Sequence, residues 1–355
     1  MKTKLLTLLI LFAQLNTATS QNESNGLVKW LSLKEAQEKN KELKKPFLID
    51  IYTDWCGWCK HMMKTTYSNE GLAAYINANF YPVKFNAETK DTIEYNGKIY
   101  KPLSKEPKTA HELAIKFLGE KLSYPSTLFV TNNFEYNLLT QGFMEDKKME
   151  PILIFMVENA WQTVVFDEFN KHFTNCFYDT SFAKIKVKTY TIQEVEKLQK
   201  KKPKKVLVNI GTEFCNTGKV MTATSFIDTS VANYINKNFY LVNFSATSSD
   251  TIVFKNEKYF TTPVSNFPMH GLALKLSANR FTLPSLCILD EQLNTLEVLN
   301  FYQSPERLKP ILTFIGSNSY QTKKFNDYMQ EYLAPPAPKP KKKWRQQPSI
   351  TSIRV

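Results

Sequence analysis

Short apolar runs alternate along the chain with amphipathic segments, and this pattern predicts the secondary structure. Runs rich in β-branched and aromatic residues predict strands, whereas apolar positions three and four apart predict helices. Strands alternating with helices imply an α/β domain. For the first half of the chain the predicted elements are a helix at Ser32–Leu43, a strand at Phe47–Tyr52, a helix from about Lys60, a strand at Tyr81–Phe85, a hairpin at Ile93–Tyr100, a helix at His111–Leu118, a strand at Thr127–Val130 and a long helix after Glu150.

An internal repeat divides the chain into two copies of one unit. Tyr75–Phe80 returns 159 residues later as Tyr234–Phe239, and four further segments repeat at the same offset. A single register without gaps is the signature of a duplicated domain. We therefore predict two tandem domains of one α/β class, at residues 28–173 and 187–332.

The two ends of the chain differ in composition from the domains. The N-terminus opens with lysines, continues with an apolar run from Leu5 to Phe12 and ends in small polar residues up to Ser20. This pattern predicts a cleaved signal peptide over residues 1–20, and hence export to the periplasm or beyond the cell. No later stretch is long and apolar enough to predict a membrane span. Residues 334–355 are rich in proline and then lysine, which predicts a disordered basic tail.

Composition narrows the class of protein. The 355 residues are 43% hydrophobic and 22% charged, a balance that excludes wholesale disorder and fibrous repeats. The formal net charge is +13, but only four of the 46 basic residues are arginines, so we expect no nucleic-acid partner. The five lysines within Lys200–Lys205 are interpreted as a solvated loop before a strand. The four histidines show no metal-ligand spacing, so we expect no metal site. We expect no bound cofactor either, because in a dithiol mechanism the electrons come from or go to a partner protein.

Two cysteines follow the first predicted strand, in the sequence Trp55-Cys56-Gly57-Trp58-Cys59-Lys60. At a strand-to-helix junction of an exported protein, this spacing is typical of a redox dithiol. Cys56 would lie at the helix start as the exposed nucleophile, because unpaired N–H groups and the helix dipole stabilise a thiolate there. Cys59, one turn later, would attack the mixed disulfide between Cys56 and a substrate. The alternative, half of a zinc site, lacks a second Cys or His pair in this copy.

With Pro125 before a predicted strand, this motif resembles the thioredoxin superfamily, and more narrowly the exported bacterial thioredoxin-like proteins with Trp-Cys-Gly-Trp-Cys-Lys. The resemblance covers both copies, and it implies two tandem thioredoxin-like domains, each with a central mixed β-sheet flanked by helices. It further implies that Pro125 forms a cis peptide and packs against the dithiol, and that Tyr124 contacts the substrate backbone. The substrate-contacting set then includes Trp55, Gly57 and Trp58 as well.

The same resemblance implies a proton relay behind the dithiol. Asp50 matches the family's buried acid and Lys84 matches its partner lysine. Buried together, the two side chains would carry the proton that Cys59 loses and regains. The residues alone leave a second interpretation open, because Ile49 and Ile51 alternate with Asp50 as they would around a solvent-facing strand position.

The chain departs from the family pattern in two places. Trp58 stands where the reducing thioredoxins have proline, so the redox potential does not follow from the sequence. An insertion between the dithiol and Pro125 includes the hairpin at Ile93–Tyr100 and a loop through Pro102 and Pro107. We expect this insertion to lie beside the active site, where it would cover the dithiol or select substrates.

The second copy keeps the frame but changes the chemistry. Cys215 aligns with Cys56, Gly218 replaces the resolving cysteine, and the positions of Asp50 and Lys84 are taken by Asn209 and Asn243. Two neutral amides avoid a buried unpaired charge, so the fold would survive the substitution. We therefore predict a degenerate domain with a non-catalytic or binding role. The alternative is that Cys215 still forms a mixed disulfide, as monothiol sites do. Pro284 is retained, and Cys287 is interpreted as a small apolar residue of a buried strand.

Together these features predict an exported thiol–disulfide oxidoreductase that acts on protein disulfides through its first domain. Its partners would be protein thiol or disulfide substrates and a redox partner protein. The alternative is a non-enzymatic envelope protein that binds peptides on its thioredoxin-like surfaces and an acidic partner through its basic tail. The sequence leaves the substrate, the direction of electron flow and the oligomeric state open.

Overall fold

A computed structural model of the chain describes residues 26–178, 187–264, 267–279 and 282–334. The structure divides into two compact units, one ending at Phe173 and the other beginning at Thr174. The predicted signal peptide lies outside the described residues, and so does the predicted tail apart from Ala334. Within the described ranges, no helix has both the length and the apolar character that crossing a membrane requires.

The first unit is built around a mixed β-sheet. Its helices are α1 (Leu33–Glu42), α2 (Gly57–Lys64), α3 (Glu70–Asn79), α4 (Glu112–Leu118), α5 (Asp146–Val157) and α6 (Phe166–Phe177), with 3₁₀ turns at Thr66–Ser68 and Ala160–Gln162. Its strands are β1 (Phe47–Tyr52), β2 (Tyr81–Asn86), β3 (Ile93–Tyr95), β4 (Lys98–Tyr100), β5 (Ser126–Val130) and β6 (Asn137–Gln141). The sheet has the order β2-β1-β5-β6, and β1 runs parallel to β2 and antiparallel to β5.

The second unit repeats this arrangement. Its helices are α7 (Ile192–Gln199), α8 (Asn216–Ala223), α9 (Thr229–Asn238), α10 (Gly271–Leu276), α11 (Pro305–Gly316) and α12 (Phe325–Leu333), with a 3₁₀ turn at Ser319–Gln321. Its strands are β7 (Lys205–Gly211), β8 (Phe239–Ser245), β9 (Ile252–Phe254), β10 (Glu257–Tyr259), β11 (Thr261–Val264), β12 (Phe267–His270), β13 (Ser285–Leu289) and β14 (Thr295–Asn300). The sheet order β14-β13-β7-β8 matches that of the first unit, which confirms the predicted class of two mixed sheets flanked by helices.

The central strand of the first sheet positions the dithiol. Strand β1 lies between β2 and β5 and is buried on both faces, because helices cover the sheet from either side. The chain leaves its C-terminal end and enters α2 at Gly57, earlier than the predicted start near Lys60. The dithiol therefore lies where the central strand ends and the helix begins.

Local sequence signals account for several boundaries. Ser32 caps α1 in a capping box with Glu35, which fixes the start of that helix. Asn96 and Gly97 both have positive φ, as a two-residue hairpin of the mirror-image type requires, and they join β3 to β4 as predicted.

The hairpin of this insertion does not lie beside the dithiol, so the expectation is wrong for that part. The side chain of Gln37 on α1 donates to the Glu94 carbonyl at 3.0 Å and accepts from the Asn96 N–H at 2.8 Å. Tyr95 meets Phe134, whose ring stacks on Phe47 at the beginning of β1. The hairpin is thus held at α1 and at the end of β1 opposite to the cysteines.

The interpretation of the lysine run as a solvated loop is wrong for its last member. Lys205 belongs to β7 and is only 3% exposed. Its ammonium group donates to Glu291 at 2.8 Å and to Asn318 at 2.6 Å, two partners distant in sequence. A charge can be buried when a counter-charge and hydrogen bonds are provided in this way.

Candidate active site

Cys56 and Cys59 meet at the first turn of α2. Cys56 is the N-cap residue of this helix, and its sulfur forms a disulfide with Cys59. The backbone N–H of Cys59 donates to the Cys56 sulfur at 3.1 Å. This N–H belongs to the set that a helix start leaves unpaired, so it favours negative charge on Cys56 once the disulfide opens.

Exposure does not distinguish the two cysteines. Each is 4% exposed, whereas we expected Cys56 to be the more accessible one. The assignment of Cys56 as the nucleophile therefore stays a prediction, which depends on its N-cap position and on the Cys59 N–H.

Pro125 precedes β5, and the Tyr124–Pro125 peptide bond is cis, as the family resemblance implied. The Pro125 carbonyl accepts a hydrogen bond from the Gly142 N–H at 2.8 Å, which ties this turn to the segment that follows β6. The ring of Tyr124 meets the ring of Trp55 edge-on at 6.0 Å. Two of the predicted substrate-contacting residues are thus neighbours.

The surface around the dithiol is aromatic. Trp55 and Trp58 are 56% and 61% exposed, which is unusual for the largest apolar side chain, and Gly57 between them has open space around it. Trp55 donates its indole N–H to Glu88 at 2.9 Å. Exposed aromatic groups of this size are typical of interaction surfaces.

Two neighbours of Trp58 were not predicted from the sequence. Its ring lies 5.6 Å from both His61 and Phe143, and these two rings lie 5.0 Å from each other. His61 could have been found from its position three residues after Trp58 on one helix. Phe143 could not, because it follows β6, a strand that the sequence pattern did not predict.

Asp50 lies on β1, directly beside Lys84 of β2 in the strand register. Its side chain is fully buried, so the interpretation as a solvent-facing residue is wrong. The alternation of Asp50 with apolar neighbours suggested a strand with one exposed face, but both faces of this central strand are covered. The structure thus brings together the acid and the lysine that the family resemblance paired.

The electrostatics of this pair are dominated by burial. Desolvation raises the pKa of Asp50 to about 7, against the positive charge of Lys84 and the nearby Tyr67 hydroxyl, which both act to lower it. Burial likewise lowers the pKa of Lys84, and the negative charge of Asp50 opposes this shift. Within the described residues, neither carboxyl oxygen of Asp50 has a hydrogen bond of ordinary geometry. The carboxyl group is therefore poised to exchange a proton near neutral pH.

Three buried hydroxyl groups, those of Tyr67, Thr127 and Thr53, were also not predicted from the sequence. The hydroxyl of Tyr67 lies 3.3 Å from that of Thr127, which faces Asp50 across the β1–β5 pairing. Thr53 is 1% exposed, and its hydroxyl has no hydrogen-bond partner among the described residues. Hydroxyl groups at such positions carry no motif, so only the folded chain identifies them.

The second unit holds the aligned residues in the same frame. Cys215 is the N-cap residue of α8, and the Leu283–Pro284 peptide bond is cis. Asn209 and Asn243 are register partners on β7 and β8, and the Asn209 amide donates to the Asn243 carbonyl oxygen at 3.1 Å. The acid–lysine pair of the first unit is replaced by a direct amide–amide hydrogen bond.

Residues 14–106 match the model of a family named Thioredox_DsbH and described as "Protein of unknown function, DUF255". This segment contains the dithiol, Asp50 and Lys84. This match, the topology of the two sheets and the Cys56–Cys59 pair support the thioredoxin superfamily. The site contains what thiol–disulfide exchange requires: a dithiol at a helix start and a buried acid whose pKa burial raises to about 7.

The chain is also similar to individual proteins. An uncharacterized protein of Archaeoglobus fulgidus is 30% identical over 71 residues, which cover 20% of this chain and 56% of that protein. The match thus spans about half the length of that relative.

Two solved structures illustrate the range of structural similarity. A thioredoxin-fold protein from Helicobacter pylori has a TM-score of 0.28 and 19% identity, with 36% of this chain and 81% of that chain covered. A protein titled "DsbH Oxidoreductase" has a TM-score of 0.24 and 17% identity, with 36% and 82% covered.

Proposed function

We propose that this protein is an exported thiol–disulfide oxidoreductase that acts on protein disulfides through Cys56 and Cys59. The observation that carries the proposal is the dithiol at the start of α2, combined with the buried Asp50 on the central strand. A structural disulfide has no need of a buried, titrating carboxyl group nearby. A dithiol that must gain and lose protons in each cycle does.

The chemical cycle follows from these positions. The Cys56 thiolate attacks one sulfur of a substrate disulfide, forms a mixed disulfide and releases the other sulfur as a thiolate. Cys59 then loses its proton to the Asp50 carboxylate and attacks the sulfur of Cys56, which releases the second substrate sulfur as a thiolate that takes up a proton. The Cys56–Cys59 disulfide that results is reduced by a redox partner protein, and the reverse sequence would oxidise a substrate dithiol.

Protein substrates are supported by the surroundings of the dithiol. Trp55, Trp58 and Tyr124 form an aromatic surface around the cysteines, on which an extended segment of a partner can lie. Export is supported by the leader pattern at residues 1–20. It also agrees with the chemistry, because disulfides form and persist in oxidising compartments.

The test is reduction of the insulin disulfides by the full chain, with a small dithiol as the electron source. The chain should accelerate the reaction, and Cys56→Ser should abolish the acceleration. Cys59→Ser should accumulate mixed disulfides with insulin, because Cys56 can still attack but nothing resolves the product. Cys176→Ser, which changes a cysteine away from the dithiol, is the control and should keep full activity. Equal trapping by Cys56→Ser and Cys59→Ser would contradict the assigned roles.

A further inference from the structure

The second unit has an open cavity of about 520 Å³ at its degenerate motif. Cys215, Gly218 and Asn209 line this cavity, together with Glu213 and Lys219. Its volume lies within the range of pockets that hold small molecules. The replacement of a dithiol by a lone cysteine thus coincides with a space large enough for a ligand.

Gly218 accounts for the space next to the sulfur. A Cβ atom added at Gly218 would lie 3.0 Å from the Cys215 sulfur and 3.5 Å from Cβ of Pro284. In a disulfide, each Cβ lies about 3.0 Å from the far sulfur, given an S–S bond of about 2.05 Å and nearly tetrahedral angles. The missing side chain therefore leaves vacant the position from which a second sulfur would bond to Cys215.

Asn209 indicates that the cavity suits a polar ligand. The residue is 8% exposed and lines the cavity, and its amide hydrogens are directed to Asn243 and Thr222. Its carbonyl oxygen is buried without a hydrogen-bond partner among the described residues. A buried acceptor of this kind calls for a donor, and an N–H group of a ligand would supply one.

The charges that line the cavity have both signs. Glu213 and Lys219 are exposed side chains on the two sides of Cys215 in the sequence, and both border the cavity. A carboxylate and an ammonium group together complement a zwitterion, which carries one charge of each sign. Free cysteine is such a zwitterion with N–H donors, and a short peptide that contains cysteine carries charges of both signs on its terminal groups.

We propose that this cavity binds a small zwitterionic cysteinyl compound and that Cys215 holds it as a mixed disulfide. The Cys215 thiolate attacks one sulfur of the corresponding low-molecular-weight disulfide. One S–S bond forms, one breaks, and the second half leaves as a thiolate that takes up a proton. The disulfide itself is the oxidant, so the exchange needs no other electron acceptor. The position next to Gly218 receives the sulfur of the bound half.

The adduct should persist, in contrast to one at Cys56. In the first unit Cys59 stands one turn after the nucleophile and resolves a mixed disulfide, whereas Gly218 at the matching position has no sulfur. The bound thiol then leaves only when an external thiol attacks. The second unit would act as a thiol-holding site, separate from the turnover of the first.

The test uses the full chain with Cys56→Ser, Cys59→Ser and Cys176→Ser, so that only Cys215 and Cys287 remain. The protein is incubated with cystine, with glutathione disulfide or with the neutral bis(2-hydroxyethyl) disulfide, and adducts are followed by intact-mass and peptide mass spectrometry. We expect one adduct, at Cys215. Cys287 is the internal control, because it is fully buried and burial raises the pKa of its thiol to about 12.

Two sets of variants test the ligand class. Glu213→Gln and Lys219→Gln both change exposed positions. Each should slow the formation of the adduct with cystine and with glutathione disulfide roughly fivefold, and leave the rate with the neutral bis(2-hydroxyethyl) disulfide unchanged. Gly218→Cys should release the bound thiol and leave a disulfide between Cys215 and the introduced cysteine. Unchanged unfolding midpoints serve as the check on folding.

The outcomes separate the sources of the ligand. Faster reaction with cystine assigns a free amino acid, and faster reaction with glutathione disulfide assigns a short peptide. No adduct at Cys215, or equal rates for all three reagents with no effect of Glu213→Gln and Lys219→Gln, would overturn the proposal. Because the dithiol is absent from this background, the result is independent of the function proposed for the first unit.

Discussion

The two units share one frame and differ in the pair of residues behind the helix-start cysteine. In the first unit Asp50 and Lys84 are register partners, and in the second unit Asn209 and Asn243 are. The amides join by a hydrogen bond of 3.1 Å, whereas Asp50 is buried with no hydrogen bond of ordinary geometry among the described residues. Burying an unsatisfied carboxyl group is costly. The first unit carries this cost where a dithiol needs a base. The second unit, without a resolving cysteine, buries a neutral amide, of which only the Asn209 oxygen lacks a partner among the described residues.

A buried histidine makes the same hydrogen bonds in each unit. His111 and His270 cap α4 and α10, and each accepts the N–H two residues later at 3.1 Å. The other ring nitrogen of each lies 3.0 Å from the carbonyl of Asp91 and of Asp250, respectively. Both rings are fully buried and hold the insertion to a helix. The two copies have therefore diverged in their chemistry and retained their scaffolding contacts.

The strongest way to test the comparison is to give the first unit the amide of the second. Asp50→Asn should slow insulin reduction on the order of 10²-fold at pH 7, because Cys59 loses its proton acceptor. In the wild type, the rate should rise with pH through about 7, as Asp50 ionises. The variant should lack this rise, and stopped-flow rates from pH 5 to 9 would show the difference. An unchanged pH profile would mean that Asp50 takes no part in the proton transfer.

The same variant should be slower in catalysis but more stable than the wild type at alkaline pH. The folded state raises the pKa of Asp50 from 3.8 to about 7, so the folded chain binds more protons than the unfolded chain between these values. Stability of the wild type should therefore fall as pH rises from about 4 to 7. Asp50→Asn should be more stable than the wild type at pH 8, by up to about 4 kcal/mol, and similar to it at pH 4. Denaturant unfolding at the two pH values measures this directly.

The converse exchange gives the second unit the acid of the first. Asn209→Asp should lower the free energy of unfolding by about 3 kcal/mol at pH 8, because the new carboxylate is buried without a cation. The loss should shrink towards pH 5 as the acid takes up a proton. Asn209→Asp combined with Asn243→Lys is the matched control, and it should recover part of the stability, as Lys84 does beside Asp50. A pH-independent loss would instead point to altered packing.

Local signals predicted much of the fold and of the site. The central strand, the hairpin turn at Asn96–Gly97 and the place of the dithiol follow from short stretches of sequence, each with its own physical cause. Strand β6 did not follow, because its residues Asn137–Gln141 form a partly exposed strand whose identity depends on pairing with β5. Lys205 likewise finds its partners Glu291 and Asn318 only in the folded chain. Such features depend on partners that are distant in sequence. The local pattern of apolar and polar residues does not identify those partners.

The smallest expected difference concerns the aromatic surface. Trp58 aligns with Thr217, which is fully buried, and Phe143 aligns with Tyr302, which is also fully buried. In the second unit these two positions therefore lie in the interior. One exposed aromatic residue remains at the motif, Phe214, which aligns with Trp55 and is 78% exposed. The exposed pair of tryptophans is thus a property of the first unit. This difference supports protein substrates for that unit.

Trp58→Ala should raise KM for insulin about fivefold and leave kcat nearly unchanged, because an exposed aromatic group contributes binding and not proton transfer. The rate with a small disulfide should stay the same, since such a substrate is too short to reach the ring. Phe214→Ala is the matched control in the second unit and should change neither value. If Trp58→Ala slowed both substrates equally, the indole would act on Cys56 itself. The aromatic surface would then be part of the dithiol's electrostatic environment and not a docking site for substrates.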